Sequence, residues 1–290
     1  MARPEIAGGC GGGRLQRHPL ERLYLDYIWT AARHYAVDPT GKDAASLPDE
    51  AKARILGGEA CMWAEWVTPE TIDSRIWPRM AAIAERFWSP AIVTDAADMY
   101  RRLDIVSQRL DATGIIHRSN YQRMLERLAA NRPIEALRTI VDLVEPVKDY
   151  DRGRRATFTS LTPLNRVVDA ARAESDEARS FARLVNALLA DPARAAGRDA
   201  IAAQLKAWQR GAADVQPFLD GALVRDAAPL VQHLATVSSI GLKALDALQR
   251  KTPLVLTAEE SDGLTKAAAP VADVVLMVTA PVKRLVDGAK

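Results

Sequence analysis

Ile55-Leu56-Gly57-Gly58-Glu59-Ala60-Cys61-Met62-Trp63-Ala64-Glu65-Trp66-Val67 is followed, after a short gap, by Ser74-Arg75-Ile76-Trp77-Pro78-Arg79-Met80-Ala81-Ala82-Ile83-Ala84-Glu85-Arg86-Phe87-Trp88-Ser89. The first stretch opens with an apolar run between turn signals and reads as a strand. In the second, Ile83 and Phe87 lie four apart among alanines, the spacing of a helix that rests one face on a sheet. Ser89-Pro90 ends that helix, because a residue before proline is pushed out of the helical region. Working outward, Leu20 to Leu25 is a second apolar strand, joined to the first by an irregular loop through Asp38-Pro39, Gly41 and Pro48.

The composition fits a globular chain. Its 290 residues are 48% hydrophobic and 26% charged, with 39 Lys+Arg against 37 Asp+Glu, which excludes disordered and collagen-like classes. No stretch approaches the length of apolar sequence a membrane span needs. The near-balance of charge gives no electrostatic case for nucleic acid or an anionic membrane, so neither is expected as a partner. The nearest basic cluster, Arg152, Arg154 and Arg155, reads as a solvated loop. Cys10 and Cys61 are too few for a disulfide framework, and the apolar neighbours of Cys61 suggest a buried thiol. Residues 1–18, with Gly8, Gly9 and Gly11 to Gly13, read as a flexible or artificial start without the apolar core of a signal peptide; localisation stays open.

Five of six tryptophans precede residue 90, and the pattern changes there. We divide the chain into residues 19–92 and a helical domain over 93–290. Met99, Leu103, Val106 and Leu110 form one stripe that Gly114 stops, and Ser119 is placed to cap the next helix. Pro133 opens another helix with Ile134, Leu137, Val141 and Val144 on its buried face, closed by Pro146. A loop to Pro163 precedes a long helical stretch from Leu164 to Leu189. Helices are expected around Ile201–Trp208 and Pro229–Leu248, Thr257 and Glu260 make a capping box, and a last helix over 271–286 is expected to kink at Pro281. The isolated His117 and His233 do not suggest a metal site.

Polar groups set among aromatics occur in two places, Tyr24-Leu25-Asp26 and Trp63-Ala64-Glu65. Strand alternation sends Tyr24 and Asp26 to one side, and Trp63 and Glu65 likewise. A carboxylate beside an indole face suits a sugar, whose C–H face stacks on the ring while its hydroxyls donate to the acid. The same residues also fit a packed core in which Asp26 or Glu65 pairs with an arginine.

The two quoted stretches together resemble the last barrel strand and following helix of family 20 glycoside hydrolases, the β-N-acetylhexosaminidases, and Tyr24-Leu25-Asp26 resembles that family's penultimate strand. The likeness is tight over residues 23–90 and continues more loosely through the helical half, for example at Thr162-Pro163-Leu164-Asn165-Arg166, as in bacterial members. It implies an α/β fold followed by an all-α one: the last two strands and final helix of a (β/α)8 TIM barrel, then a helical C-terminal domain. Such barrels hold their sites at the C-terminal ends of the strands. It further implies substrate-assisted retention, in which the sugar's own 2-acetamido oxygen attacks the anomeric carbon while a glutamic acid protonates the leaving oxygen.

By that resemblance Tyr24 positions the acetamido group, Trp63 floors the subsite, Glu65 accepts from ring hydroxyls, chiefly the 4-hydroxyl, and Asp26 takes the 4- or 6-hydroxyl. Trp29 lies too soon after Asp26 to assign. Glu59, Arg75, Arg79, Glu85 and Arg86 match as well and read as a buried scaffold network. The implied substrates are glycans ending in N-acetylglucosamine or N-acetylgalactosamine, with no cofactor.

The family's acid-base pair, a consecutive Asp-Glu preceded by His and Gly-Gly, has no counterpart here; Asp49-Glu50 lacks the flanking motif. A complete barrel takes roughly 250 residues and only about 90 here resemble one. The sequence therefore reads as the C-terminal piece of a hexosaminidase, with the N-terminal part of the barrel as its missing partner. The alternative is a non-catalytic helical scaffold or carbohydrate-binding remnant. An ordinary two-carboxylate glycosidase built on Asp26 and Glu65 is the weakest reading, since both are implied to bind hydroxyls.

Overall fold

The computed structural model describes residues 23–38, 41–55, 57–191 and 195–290. The expectations for the start, Cys10, Leu20 to Arg22, Pro39 and Leu56 lie outside the described residues.

Neither expected strand forms as such among the described residues: Ile55, Gly57 and Gly58 are irregular, and the two segments meet only at one isolated parallel bridge, Tyr24 with Cys61. Leu25 N–H donates to the Cys61 carbonyl (2.8 Å) and Cys61 N–H to that of Leu23 (3.1 Å). Neither extends further, because Leu25–Tyr27 turns at once into a 3-10 helix and Ile28 follows at φ 57. The expected helix is present as Arg79–Trp88 and ends at an extended Ser89. Its Ile83 packs on Leu23 and Leu25, while Ala82 joins Ala31, Tyr35, Met99 and Leu103. A methyl on Gly58 would sit 2.8 Å from the Phe87 ring, so any larger residue there must push that ring aside.

The remainder is mainly helical around one large core. Helices Ser119–Ala129, Glu135–Val141, Asp176–Ala190, Ala195–Val215, Ala228–Arg250, Ala258–Ala267 and Thr279–Gly288 carry it, with Phe181 edge-on to Trp208 at 4.7 Å, while Ala96–Ala112 packs in the smaller cluster with Ala82. Thr257 and Glu260 form the expected capping box.

Several expectations are corrected. The second half is not all-α: Val144–Pro146 (β1) and Val274–Leu276 (β2) pair antiparallel, Val144 opposite Leu276. Val144 is therefore in a strand, and its helix stops at Val141; β-branched residues favour the pleated, buried surface. The last helix is only Thr279–Gly288, and Pro281 falls in its first turn, where a missing N–H has no helical acceptor to lose. The stretch 164–189 is two helices, Val167–Ala170 and Asp176–Ala190. Ser119 begins its helix without capping it. Arg152, Arg154 and Arg155 lie on a helix, Asp151–Arg155, and Arg152 is buried against Asp169 at 2.7 Å rather than solvated.

The segments before and after residue 115 are joined by polar contacts at both ends. Arg75 donates to the carbonyls of Ala171 (2.8 Å), Asp169 (2.9 Å) and Val168 (3.2 Å). Arg127 grips Glu70 through both carboxylate oxygens, at 2.7 and 2.8 Å. Glu174 accepts from the Tyr100 hydroxyl (2.6 Å) and from Ala31 N–H (3.1 Å).

Candidate functional site

The bridge delivers the two predicted clusters to one place. Asp26 follows Tyr24 and Trp63 follows Cys61, so each stands two residues past the paired positions. Both line a narrow hollow with Met62, Trp66, Arg75 and Tyr150. It encloses about 30 Å³, room for roughly a water molecule and not a sugar ring, so these residues form a wall rather than a closed pocket.

Asp26 is buried. Its Oδ2 accepts from the Tyr150 hydroxyl, and its Oδ1 has no hydrogen-bond partner among the described residues. Trp63 keeps 57% of its surface exposed, a large apolar face free to stack. Glu65 is exposed in a turn just beyond, so the expected alternation does not extend to it. It is nevertheless near Tyr150: burial, Asp26 and then Glu65 hold that phenol well above its usual range. Tyr24 is half-buried, its ring 5.4 Å from that of Tyr27, and does not line the hollow. Cys61 is half-buried, not buried, and burial followed by the charges of Glu59 and Asp26 pushes its thiol up.

The arginines act as scaffold. Arg79 donates to the carbonyls of Trp29 (2.8 Å) and Leu25 (3.0 Å) and to that of Arg75, bending the chain after Asp26 into place. Burial lowers the Arg79 guanidinium to about 10, still charged at neutral pH. Arg86 holds Val37 and Ala91 carbonyls, and Glu85 accepts from Tyr35 (2.7 Å) and Arg102 (2.5 Å). Glu59 is exposed and is not part of this buried network.

Trp29, left unassigned by the sequence, donates its indole N–H to Asp149 at 2.6 Å. Tyr150 was not foreseen at all. It stands in the segment after β1, with Asp149 and Tyr150 at φ 56 and 60, a backbone shape that no sequence signal at non-glycine positions announces.

His34 is fully buried beside Trp29, and neither ring nitrogen has a hydrogen-bond partner among the described residues. Burial, then Arg79 and Arg33, push its pKa from 6.5 to about 3. The unfolded chain protonates His34 near 6.5 and the folded chain not until near 3. Its contribution is thus intact above 6.5 and lost as pH falls toward 3. Between pH 6 and 4, wild type should lose about 1 kcal/mol per pH unit more than His34→Leu in urea unfolding. Parallel curves would contradict this.

Among the described residues, no group of three or more metal-ligating side chains is assembled and no helix is long and apolar enough to cross a membrane.

Asp26 and Trp63 thus stand together just past the bridged positions of a mainly helical chain. Residues 14–91 match the family described as glycosyl hydrolase family 20, catalytic domain. Beta-hexosaminidase subunit beta of Felis catus is 38% identical over 97 residues, covering 32% of this chain and 17% of that protein. A probable beta-hexosaminidase of Drosophila melanogaster is 42% identical over 74 residues, 24% of this chain and 11% of its own. The X-ray structure of a chitobiase from Flavobacterium johnsoniae superimposes with a TM-score of 0.82 at 36% identity, covering 91% of this chain and 40% of that one, so the likeness extends into the helical half. Over residues 14–91, about a quarter of its length, the chain is thus similar to part of the catalytic domain of glycosyl hydrolase family 20. It spans less than a fifth of the mammalian relative and two fifths of the chitobiase.

Proposed function

We propose that these residues form one wall of the sugar subsite of a β-N-acetylhexosaminidase, which removes terminal N-acetylglucosamine or N-acetylgalactosamine from glycans with retention. The observation that carries this is the convergence of Asp26 and Trp63 on one hollow across a parallel bridge, within a segment matching the family's catalytic domain. The bridge is read as the last two strands of a TIM barrel, residues 19–92 as barrel and 93–290 as the helical domain. Trp63 stacks under the pyranose, Asp26 Oδ1 accepts a 4- or 6-hydroxyl, Glu65 accepts chiefly the 4-hydroxyl and Tyr24 aims the acetamido oxygen. The acetamido oxygen is the nucleophile; the proton for the leaving oxygen comes from barrel residues outside these 290, since no Asp-Glu with the family's flanking motif is present.

A second reading, a non-catalytic carbohydrate-contacting chain, is favoured by the adjacent Asp-Glu pairs: Asp176-Glu177 is exposed in the first turn of Asp176–Ala190, and the other is Asp49-Glu50. It is exposed in the first turn of Asp49–Lys52, with Glu50 paired to Arg54. The two separate in one assay. Protein purified from its source through a C-terminal tag should release aryl alcohol from an aryl N-acetyl-β-glucosaminide and not from the aryl β-glucoside lacking the acetamido group. Turnover of neither substrate supports the second reading, and equal turnover of both overturns substrate assistance.

A further inference from the structure

The contact between Asp26 and the helical half has a consequence for sugar recognition. Tyr150 lies 124 residues from Asp26 in sequence, yet its hydroxyl is the single donor the described residues give to that carboxylate. Its ring is fixed on two more sides, edge-on to Tyr27 at 5.1 Å and tilted against Trp66 at 5.7 Å. The backbone is fixed as well. Asp149 N–H donates to the Tyr27 carbonyl (3.2 Å), and Asp149 Oδ1 accepts from the Trp29 indole (2.6 Å). Both Asp149 and Tyr150 adopt left-handed backbone conformations, which cost energy at non-glycine positions and persist where surrounding contacts determine them.

Trp66 is clamped in turn. A methyl on Gly153 would lie 2.9 Å from its ring, and Phe158 packs edge-on at 5.8 Å. The segment Tyr150–Phe158 and the strand-end residues Asp26–Trp29 therefore make one packed unit.

A carboxylate has two oxygens and about four acceptor positions. With Oδ2 occupied by a phenol that cannot easily ionise beside Asp26 and Glu65, the remaining buried oxygen, Oδ1, is left to an incoming donor. A fixed acceptor discriminates for a hydroxyl much better than one free to rotate, because a partner lacking that hydroxyl leaves it buried and unpaired.

We propose that Tyr150, supplied by the helical half, is a positioning residue for sugar recognition: by holding Asp26 Oδ2 it aims Oδ1 at the 4- or 6-hydroxyl of an N-acetylhexosamine. This rests on the hexosaminidase reading above and adds that the helical half completes the sugar site.

The test is Tyr150→Phe, which deletes one oxygen and keeps the ring contacts to Tyr27 and Trp66. Protein purified from its source is titrated by NMR with N-acetylglucosamine and its 4-deoxy and 6-deoxy analogues. Wild type should bind N-acetylglucosamine about tenfold more tightly than the variant, the scale of a lost charge-assisted hydrogen bond. For the analogue that lacks the hydroxyl Asp26 accepts, the two proteins should bind alike. A purely structural role would weaken all three sugars by one factor, and that result overturns the inference, as does equal affinity of wild type and variant for N-acetylglucosamine. Wild type binding none of the sugars overturns the hexosaminidase reading and the inference with it; a wild type that binds while the variant is unchanged overturns the inference alone.

Discussion

Arg79→Leu should destabilise the Leu23–Trp29 segment by about 3 to 4 kcal/mol and release Asp26 from the site. The Arg79 side chain is almost wholly buried and its donors reach three carbonyls, those of Leu25, Trp29 and Arg75. Leucine fills much of the volume but leaves those carbonyls without a partner in a dry setting, each costing about 1 to 3 kcal/mol, partly offset by relief of a buried cation. It also removes the positive charge that faces Glu174, Asp26 and Glu145. Lysine keeps the charge, but a single ammonium cannot span acceptors that a planar fork reaches, so Arg79→Lys should recover less than half of the loss. Hydrogen exchange reads this locally. The Leu25 amide, bonded to the Cys61 carbonyl, should lose protection while the core around Phe181, Leu230 and Leu234 keeps it. A loss under about 1 kcal/mol would show that the carbonyls find water and that Arg79 does not hold the strand end.

Glu65→Gln should lower kcat/KM for an aryl N-acetyl-β-glucosaminide by about 2 to 4 kcal/mol, roughly 30- to 800-fold, in protein purified from its source. Glu65 is exposed in a turn and has no packing role to lose, so thermal unfolding should move little. The carboxylate offers acceptors only, whereas the amide presents a donor where a sugar hydroxyl must donate. An effect below tenfold would place Glu65 outside the subsite.

The parts legible in the sequence were those carried by local chemistry. Helix Arg79–Trp88, its stop at Ser89-Pro90 and the Thr257–Glu260 capping box follow from spacing and end signals acting within a few residues. Asp26 and Trp63 come together because each stands just past a strand position, and a parallel bridge aligns the two. The errors arose where distant pairing overrides periodicity. Val144 fits a helical stripe but pairs with Leu276, more than 130 positions away. Arg152 belongs to an apparently solvated run, yet Asp169 and Asp273 surround it. Tyr150 reaches Asp26 only through the left-handed turn at 149 and 150, and Glu65 leaves the alternating pattern because the chain turns directly after Trp63.

The same contacts tie stability to site geometry. Arg75 fastens the short helix Ile72–Ile76, just before Arg79–Trp88, onto carbonyls at 168–171, and Arg79 fastens the longer helix to the chain beyond Asp26. Two guanidiniums four residues apart thus join the helical half to the strand end. Arg75 lines the hollow itself and, like Arg79, is lowered to about 10 by burial.

The most direct test is a crystal structure of the source-purified protein soaked with N-acetylglucosamine. The pyranose should stack on the exposed face of Trp63, with its 4- or 6-hydroxyl within hydrogen-bond distance of Asp26 Oδ1 and Glu65 on the same side of the ring. A sugar bound elsewhere, with Asp26 and Trp63 untouched, would contradict the assignment.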